Sequence, residues 1–537
     1  PDSPFLVVTD QRFTDRNKFI SSDYLLERVG YSPADVHKRL GDGFYEQRLV
    51  REQVLKLTGR PSLREEDAMA QYQYLMNNGI KVAEEFNLRP GVALTPAQIA
   101  ALQQDIVWLV SETIDTSQGP QTVWVPKVYL ANTTLSLTQQ GAMISGKTLN
   151  LSADSIDNAG NLLAQKGLEV DAKQFMHRDG DIKADTININ ADNLTLSTNL
   201  QDALRQATMS ATDITLSGHN MQLQGAKLDA TGDIKLNARD NLSITAVKST
   251  HTGSINVIAG AMGDRNNIIN TSENFAHVSG KWQLAQSSEL SAGGNLSLNA
   301  GKDISVKGSQ AQAGGSLDVN AGGDINILSD KTTNKSQLDA QGNGSSVSNT
   351  REEDSLMLST LSGNKGVSLN AGNNLVAEGA QVDSQAGKIS VSAQDVTIKA
   401  ATQDTYALDQ EHTRNGSNKG SRVDETSSHE VVGSTFSGQN GVDITARDKD
   451  ITVTGSTIHS EKGEITLDAK QNVTLNTATE ENKKTVEEQR SSKGFLSASS
   501  EHTLQHDETT REKGSLLSGE KVTINAGNDL TVKGSSV

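Results

Sequence analysis

The chain contains no cysteine. That excludes disulfides, a thiolate nucleophile and cysteine-ligated metal. Proline is scarce, 8 residues in 537, so extended segments run without the missing N–H donor that proline brings to a sheet. Aromatic residues make up 4% and all apolar types 34%, which is thin for a globular core of this length. No apolar run reaches the roughly 18 residues that a membrane-crossing helix needs. Positive charge is in deficit: 49 Lys and Arg against 66 Asp and Glu leave a net charge of −17. A nucleic-acid surface, or a general anionic-lipid surface, needs a basic stripe, so neither is expected. The opening residues Pro1 to Phe5 do not form a signal peptide. The chain begins without Met and stops inside a repeat at Val537, so it reads as an internal piece of a longer protein.

What is abundant is repetition. The phrase Asn-Ala-Gly closes a short alternating run at Asn299, Asn320, Asn370 and Asn525. Around the first two, the whole unit returns after 21 residues: Leu296 and Leu298 recur as Leu317 and Val319, and Ile304 and Val306 as Ile325 and Ile327. From about residue 128 onward the apolar period is two, as at Leu135/Leu137, Leu149/Leu151, Ile187/Ile189, Leu194/Leu196, Val442/Ile444 and Val473/Leu475. Ser, Thr, Asn and Lys point outward, and Gly-, Asn- and Asp-rich turns separate the runs. A strand this short cannot bury a face alone, but stacked copies can. Four polar stretches, near 246–285, 328–362, 401–435 and 477–517, break the period. They are expected to leave the rod as loops or as hairpins lying along it, in the latter case with Val486 and Phe495 touching its surface.

Residues 1–127 differ. Most of the tyrosines and two of the three tryptophans lie there, and the period is helical. Ser32-Pro33 reads as an N-cap with proline at the first helical position. Leu49, Val50, Gln53, Val54 and Leu57 follow at helical spacing, closed by Gly59. Thr95-Pro-Ala-Gln98 is a capping box, and Ile99, Leu102, Ile106, Leu109 and Val110 after it read as one helical stripe. Tyr72, Tyr74, Trp108 and Trp124 are expected in the core of this block, which serves as a small helical domain or as a cap over the open end of the stack.

Several strings look chemical. Gly141 to Thr148 matches the phosphate-loop pattern, but Leu149 to Leu151 continues as strand where that loop must open a helix; a solenoid turn is expected. His502 and His506 lack the carboxylate of a zinc-protease helix and sit in extended polar sequence, so no metal is expected there. Asp233, Asp303, Asp324 and Asp529 recur at turns without the calcium-solenoid spacing. Each is expected to accept a backbone N–H in its own turn. No carboxylate pair stands out for glycoside chemistry, so no catalytic, cofactor or metal residue is assigned.

Phe5 to Thr9, Phe13, and Lys18 to Tyr24 resemble the segment before the second haemagglutinin-repeat region of CdiA-type contact-dependent inhibition proteins, relatives of filamentous haemagglutinin. Residues 130–537, including Gly293 to Ile304, resemble that repeat region itself. The resemblance implies a Gram-negative, two-partner-secreted exoprotein with an outer-membrane transporter as partner. It also implies a C-terminal toxin module elsewhere in the full chain and contact with a target cell's outer membrane or surface receptor. In that family this region waits in the periplasm until contact.

The fold expected is mainly β: a right-handed parallel β-helix over 128–537 after a small, mainly α block over 1–127. A run of roughly 12 to 18 coils at about 4.8 Å each reaches roughly 60 to 85 Å. The structural turn and ladder positions are Asn299, Asn320, Asn370, Asn525, Leu296, Leu317, Ile304 and Ile325. The function expected is delivery of a toxin rather than catalysis. The alternatives are a haemagglutinin-type adhesin without toxin and a carbohydrate-active β-helix enzyme.

Overall fold

The computed structural model describes residues 5–7, 21–58, 65–116, 118–130, 143–200, 206–258, 275–342 and 344–534. Leu135, Leu137 and Gly59 fall outside these, as do Phe13 and Gly141.

Among the described residues the first block holds four α-helices, α1 (Asp23–Arg28), α2 (Gly43–Thr58), α3 (Glu65–Phe86) and α4 (Pro96–Ala100). It also holds a four-stranded sheet, with Phe5–Val7, Arg39–Gly41, Gly119–Tyr129 and Ile106–Thr116 as neighbours in that order. The capping box forms with both bonds, Gln98 N to Thr95 Oγ1 at 3.2 Å and Thr95 N to Gln98 Oε1 at 2.9 Å. The helix it starts nevertheless ends at Ala100. The stripe through Ile106, Leu109 and Val110 is strand: Ile106–Val110 is buried at five successive positions. A fully buried strand has no alternation and mimics a helix face. Ser32-Pro33 opens only a single 3-10 turn, Pro33–Asp35. Trp108, Trp124 and Tyr72 are core, but Tyr74 is 55% exposed on the outer side of α3.

The remainder is a parallel β-helix with three faces per coil. In one coil these are Glu289–Ala292, Leu296–Ala300 and Ile304–Lys307. Among the described residues the first face is a ladder of twelve coils, through strands beginning at 143, 161, 181, 208, 227, 289, 310, 359, 380, 435, 457 and 516. At about 4.8 Å per coil the stack is roughly 55 Å long. Residues in register are 20 apart at Ile214–Ile234, 21 at Leu296–Leu317, 22 at Val367–Ile389 and 23 at Val442–Ile465. Alternation sends every second side chain inward, where these columns fuse into one buried cluster from Leu149 to Leu517. Met143–Thr148, the described part of the phosphate-loop match, is not a turn. It lies inside strand Met143–Asn158, with a register shift between Gly146 and Thr148.

The four breaks of period are β-hairpins. Their strands are Val247–Ile258 with Phe275–Gln286, Asp330–Gly342 with Ser345–Met357, Ala401–Asn415 with Asn418–Val432, and Ala478–Lys493 with Ala498–Lys513. They do not lie on the rod. They pair with one another into a single eight-stranded antiparallel sheet in chain order.

Candidate functional site

The corner from which the hairpins leave explains why they can join. Each hairpin departs after a third-face strand, and the next coil makes the same corner with a glycine. Gly225, Gly308, Gly379 and Gly455 alternate with the four hairpins, all at positive φ between 55° and 65°. One hairpin is two strands wide, about 9.6 Å, and two coils rise by the same amount. A hairpin on every coil would need twice the space available; one on every second coil tiles without gap. A Cβ on Gly308 would lie 2.8 Å from Asp330 Cβ, and one on Gly455 2.7 Å from Ala478 Cβ. The bare corner therefore makes room for the foot of the next hairpin.

A buried serine closes each coil after its excursion. Ser288, Ser359, Ser434 and Ser515 donate to the carbonyls of Thr245, Leu328, Lys399 and Asn476 at 2.7, 2.6, 2.8 and 2.8 Å. Each of those carbonyls belongs to the last strand residue before its hairpin. The serine hydroxyls also receive backbone N–H groups from the neighbouring coil, as Ser309 N to Ser359 Oγ and Ala226 N to Ser288 Oγ do at 3.2 and 3.1 Å. The coil thus resumes its register whatever the length of the excursion. The sequence signal was available, a serine near the end of every break of period, but it carries no alternation and so escapes a search for strands.

Between hairpins, backbone ladders run through the outer part of the sheet, and side chains take over near the base. Gln283 Oε1 accepts from Thr333 N at 2.8 Å, Asp354 Oδ2 from Asp404 N at 3.1 Å and Glu480 Oε1 from Val431 N at 3.1 Å. Partial burial of Asp354 favours its neutral form. The hydrogen bonds from Thr333 and Asp404 N, with Lys331 nearby, outweigh it and hold the carboxyl below its usual range. Arg351 forms a bidentate pair with Asp409 across the second seam, at 2.6 and 3.1 Å, which raises the guanidinium further.

The positions singled out from the sequence are on the rod. Asn299, Asn320 and Asn370 form an amide ladder with Asn237, each Nδ2 donating to the Oδ1 one coil back at 2.9, 3.2 and 3.0 Å. Asn525 sits in the same column opposite Asp468. Leu296 pairs with Leu317 and Ile304 with Ile325, all buried. The turn aspartates act between coils rather than within their own turn. Asp233 accepts from Asn295 N at 2.8 Å, Asp303 from Asp324 N at 2.7 Å, and Asp324 from Asn374 N at 3.0 Å. Asp529 donates its N–H to Asn472 Oδ1 at 3.1 Å. The parallel stack brings each such turn under the next, so the nearest free N–H belongs to the next coil.

His502 and His506 lie on one exposed face of strand Ala498–Lys513, against Glu487 at 2.8 Å and Thr485 at 2.7 Å respectively. Among the described residues no group of three or more His, Cys, Asp or Glu is placed to hold a metal ion. Also among them, no helix is long and apolar enough to cross a membrane. Phe495 is fully exposed and touches nothing on the rod, while Val486 is paired in mid-sheet with Asp424 and Gln505. Expecting these two against the rod treated each hairpin as solitary.

Known proteins give the same picture. A haemagglutinin-repeat family model matches residues 177–343 and 415–537, and a second haemagglutinin-repeat model matches 116–198. The chain is 30% identical over 543 residues to a tRNA nuclease CdiA-2 of Burkholderia pseudomallei, covering 100% of this chain and 16% of that protein. It is 31% identical over 537 residues to a 16S rRNA endonuclease CdiA of Enterobacter cloacae, covering 98% and 14%. It is 30% identical over 531 residues to a deoxyribonuclease CdiA of Dickeya dadantii, again covering 98% and 14%. The chain therefore spans about one-seventh of the length of these relatives. No solved structure matches it. These matches place the chain in the CdiA and filamentous-haemagglutinin family, as its second haemagglutinin-repeat region.

Proposed function

We propose that this chain is the delivery segment of a contact-dependent inhibition exoprotein. An outer-membrane two-partner transporter secretes the full protein from a Gram-negative cell. The segment is held in the periplasm until contact. It then engages the target cell's outer membrane so that a C-terminal toxin module can cross. The observation that carries this reading is the mismatch between shared segment and named activity. Relatives named for cleaving tRNA, 16S rRNA and DNA are each about 30% identical to nearly all of this chain. A segment common to three different activities is suited to the step they share, which is transport. A rod supports that role mechanically, since parallel backbone ladders resist bending while the hairpins present surface.

The test is an in-frame deletion of these residues from the full exoprotein in donor cells. The expected result is that donors still adhere to targets but the targets survive. Unchanged killing would overturn the proposal. Loss of adhesion itself would favour the adhesin alternative.

A further inference from the structure

The last hairpin ends in a turn that turn chemistry does not explain. Gly494 N donates to Ser497 O at 2.6 Å, leaving Phe495 and Leu496 as a two-residue loop. Such loops favour Asn-Gly or Gly-containing pairs, whose backbones match the twist of the strands. The neighbouring hairpin obeys the rule with Asn415, Gly416, Ser417 and Asn418, Gly416 being at φ 62°. Here a large aromatic and a large aliphatic residue stand in the loop instead, 100% and 93% exposed. Around them the surface is small and polar, with Ser491, Ser492, Ser497 and Ser499, and then cationic. Arg414 and Lys419 face each other across the adjacent hairpin, Lys419 is in register with Ser491, and Lys493 flanks the loop. Among the described residues none of these three cations is paired with a carboxylate. This is a local reversal of sign in a chain of net charge −17.

We propose that the turn Lys493–Ser497 is a lipid wedge: Phe495 and Leu496 enter the interfacial layer of a bilayer whose anionic phosphate headgroups meet Lys493, Lys419 and Arg414. The proposal rests on the delivery reading and names the structure that makes its membrane contact. Two apolar side chains on a protruding tip are too little for a stable protein interface, which buries on the order of 1,000 Å² or more. They suffice for partial insertion, where each buried apolar side chain adds independently and basic neighbours add attraction to anionic lipid. The contact is peripheral. Strand Ala478–Lys493 carries Glu480 and Glu481, Lys483 and Lys484, and Glu487 and Glu488 at adjacent positions, so charge lies on both faces of the sheet. A membrane-spanning strand needs an apolar outward face.

The test is flotation of the whole 537-residue chain with vesicles of phosphatidylethanolamine and phosphatidylglycerol, beside native outer-membrane vesicles. The chain is expected to float with both. F495S/L496S should lower its partition by about tenfold or more, with an unchanged thermal unfolding profile. K419Q/K493Q should weaken binding less, and that difference should vanish at high salt. Phe495→Trp should show an emission blue shift on binding and quenching by brominated lipid. Undiminished flotation of F495S/L496S, or no shift at Trp in place of Phe495, would overturn the wedge while leaving the delivery reading intact. Flotation with native vesicles alone would also overturn it, pointing to a protein receptor. The delivery reading falls separately, through the deletion assay in cells.

Discussion

Rod and hairpin sheet share one chain and one spacing, yet they are held by different forces. In the rod every strand between the two end coils has a hydrogen-bonded neighbour on both sides and faces a dry interior, so each column of Leu, Ile and Val stacks on its copies. In the hairpin sheet the backbone ladders between hairpins stop short of the base, both faces are wet, and the side chains of the last hairpin are mostly Glu, Lys, Ser and Thr. The contrast separates two kinds of surface. In the rod almost any inward substitution is felt. In the hairpin sheet surface residues can change with less consequence, because register is set elsewhere, at the serine and glycine corner.

The largest effect that sharpens this contrast is loss of a buried ring. Phe436 is fully buried, stacked between Val382 and Ile458 on the first face. Phe436→Ala should cost about 3–5 kcal/mol. Tyr406→Ala removes a ring of similar size from the hairpin sheet, where the hydroxyl reaches Glu425 at 3.1 Å. It should cost no more than about 1 kcal/mol. Urea unfolding followed by hydrogen exchange in the affected coils measures both. Equal losses would mean that the sheet has a dry face and the distinction is wrong.

A second effect, of at most the same order, concerns acid and base. Burial pushes the Glu46 carboxyl up to about 8, against the hydrogen bonds from Ser22 and the charge of Arg39. In the unfolded chain it ionises near 4.5. The folded block therefore holds a proton that the unfolded chain gives up, and its stability falls as pH rises from about 4.5 through about 8, by on the order of a few kcal/mol. His177 behaves oppositely. Burial lowers it, although Gly180 O at 2.6 Å and other partners pull the other way. The stability it contributes is present above about 6.5 and is lost as pH falls through its lowered value. Exchange protection in α2 should therefore fade on the alkaline side and in strand Asn161–Arg178 on the acid side. Glu46→Gln should flatten only the first profile.

Much of this was legible in the sequence. The rod was, because inward residues recur at nearly constant spacing and a solenoid needs little else. Leu296, Leu317, Ile304 and Ile325 stand in register one coil apart. The four excursions were legible only as interruptions. Their union depends on a ratio of lengths, two strands per two coils, that no single segment carries. The Ile106–Val110 strand read as helix because burial on both faces erased its period. The turn aspartates were recognised as acceptors, but their donors lie 21 to 62 residues away, as Asp303 to Asp324 N and Asp233 to Asn295 N illustrate. Only stacking brings them close.

The corner itself supplies a third measurement. Gly308→Ala places a Cβ at positive φ and 2.8 Å from Asp330 Cβ. It should cost about 2–3 kcal/mol and lower protection in hairpin Asp330–Met357 specifically. Gly416→Ala, at φ 62° with nothing within 4 Å, suffers only the backbone term of about 1 kcal/mol. If the two cost the same, the tight fit between bare corner and hairpin foot has no energetic weight.

The smallest expected effect tests what joins the hairpins. Arg351 and Asp409 form the best-aligned ion pair between hairpins, but both are about half exposed (48% and 41%). Such pairs are worth about 0–1 kcal/mol, since water solvates the separated ions well and salt screens what remains. Arg351→Met keeps the aliphatic stem against the sheet, so its cost should stay within that range and disappear in about 1 M salt. Asp354 is the control. Its carboxylate is largely enclosed, 11% exposed, and receives both the Thr333 hydroxyl and the Asp404 N–H at the same seam. Asp354→Asn keeps the shape but turns an acceptor into a donor, leaving one of those two donors without its oxygen, so it should cost more and respond little to salt. If Arg351→Met proves the costlier of the two, the seam is held by surface charge. The sheet would then open with ionic strength while the rod beneath it stayed closed.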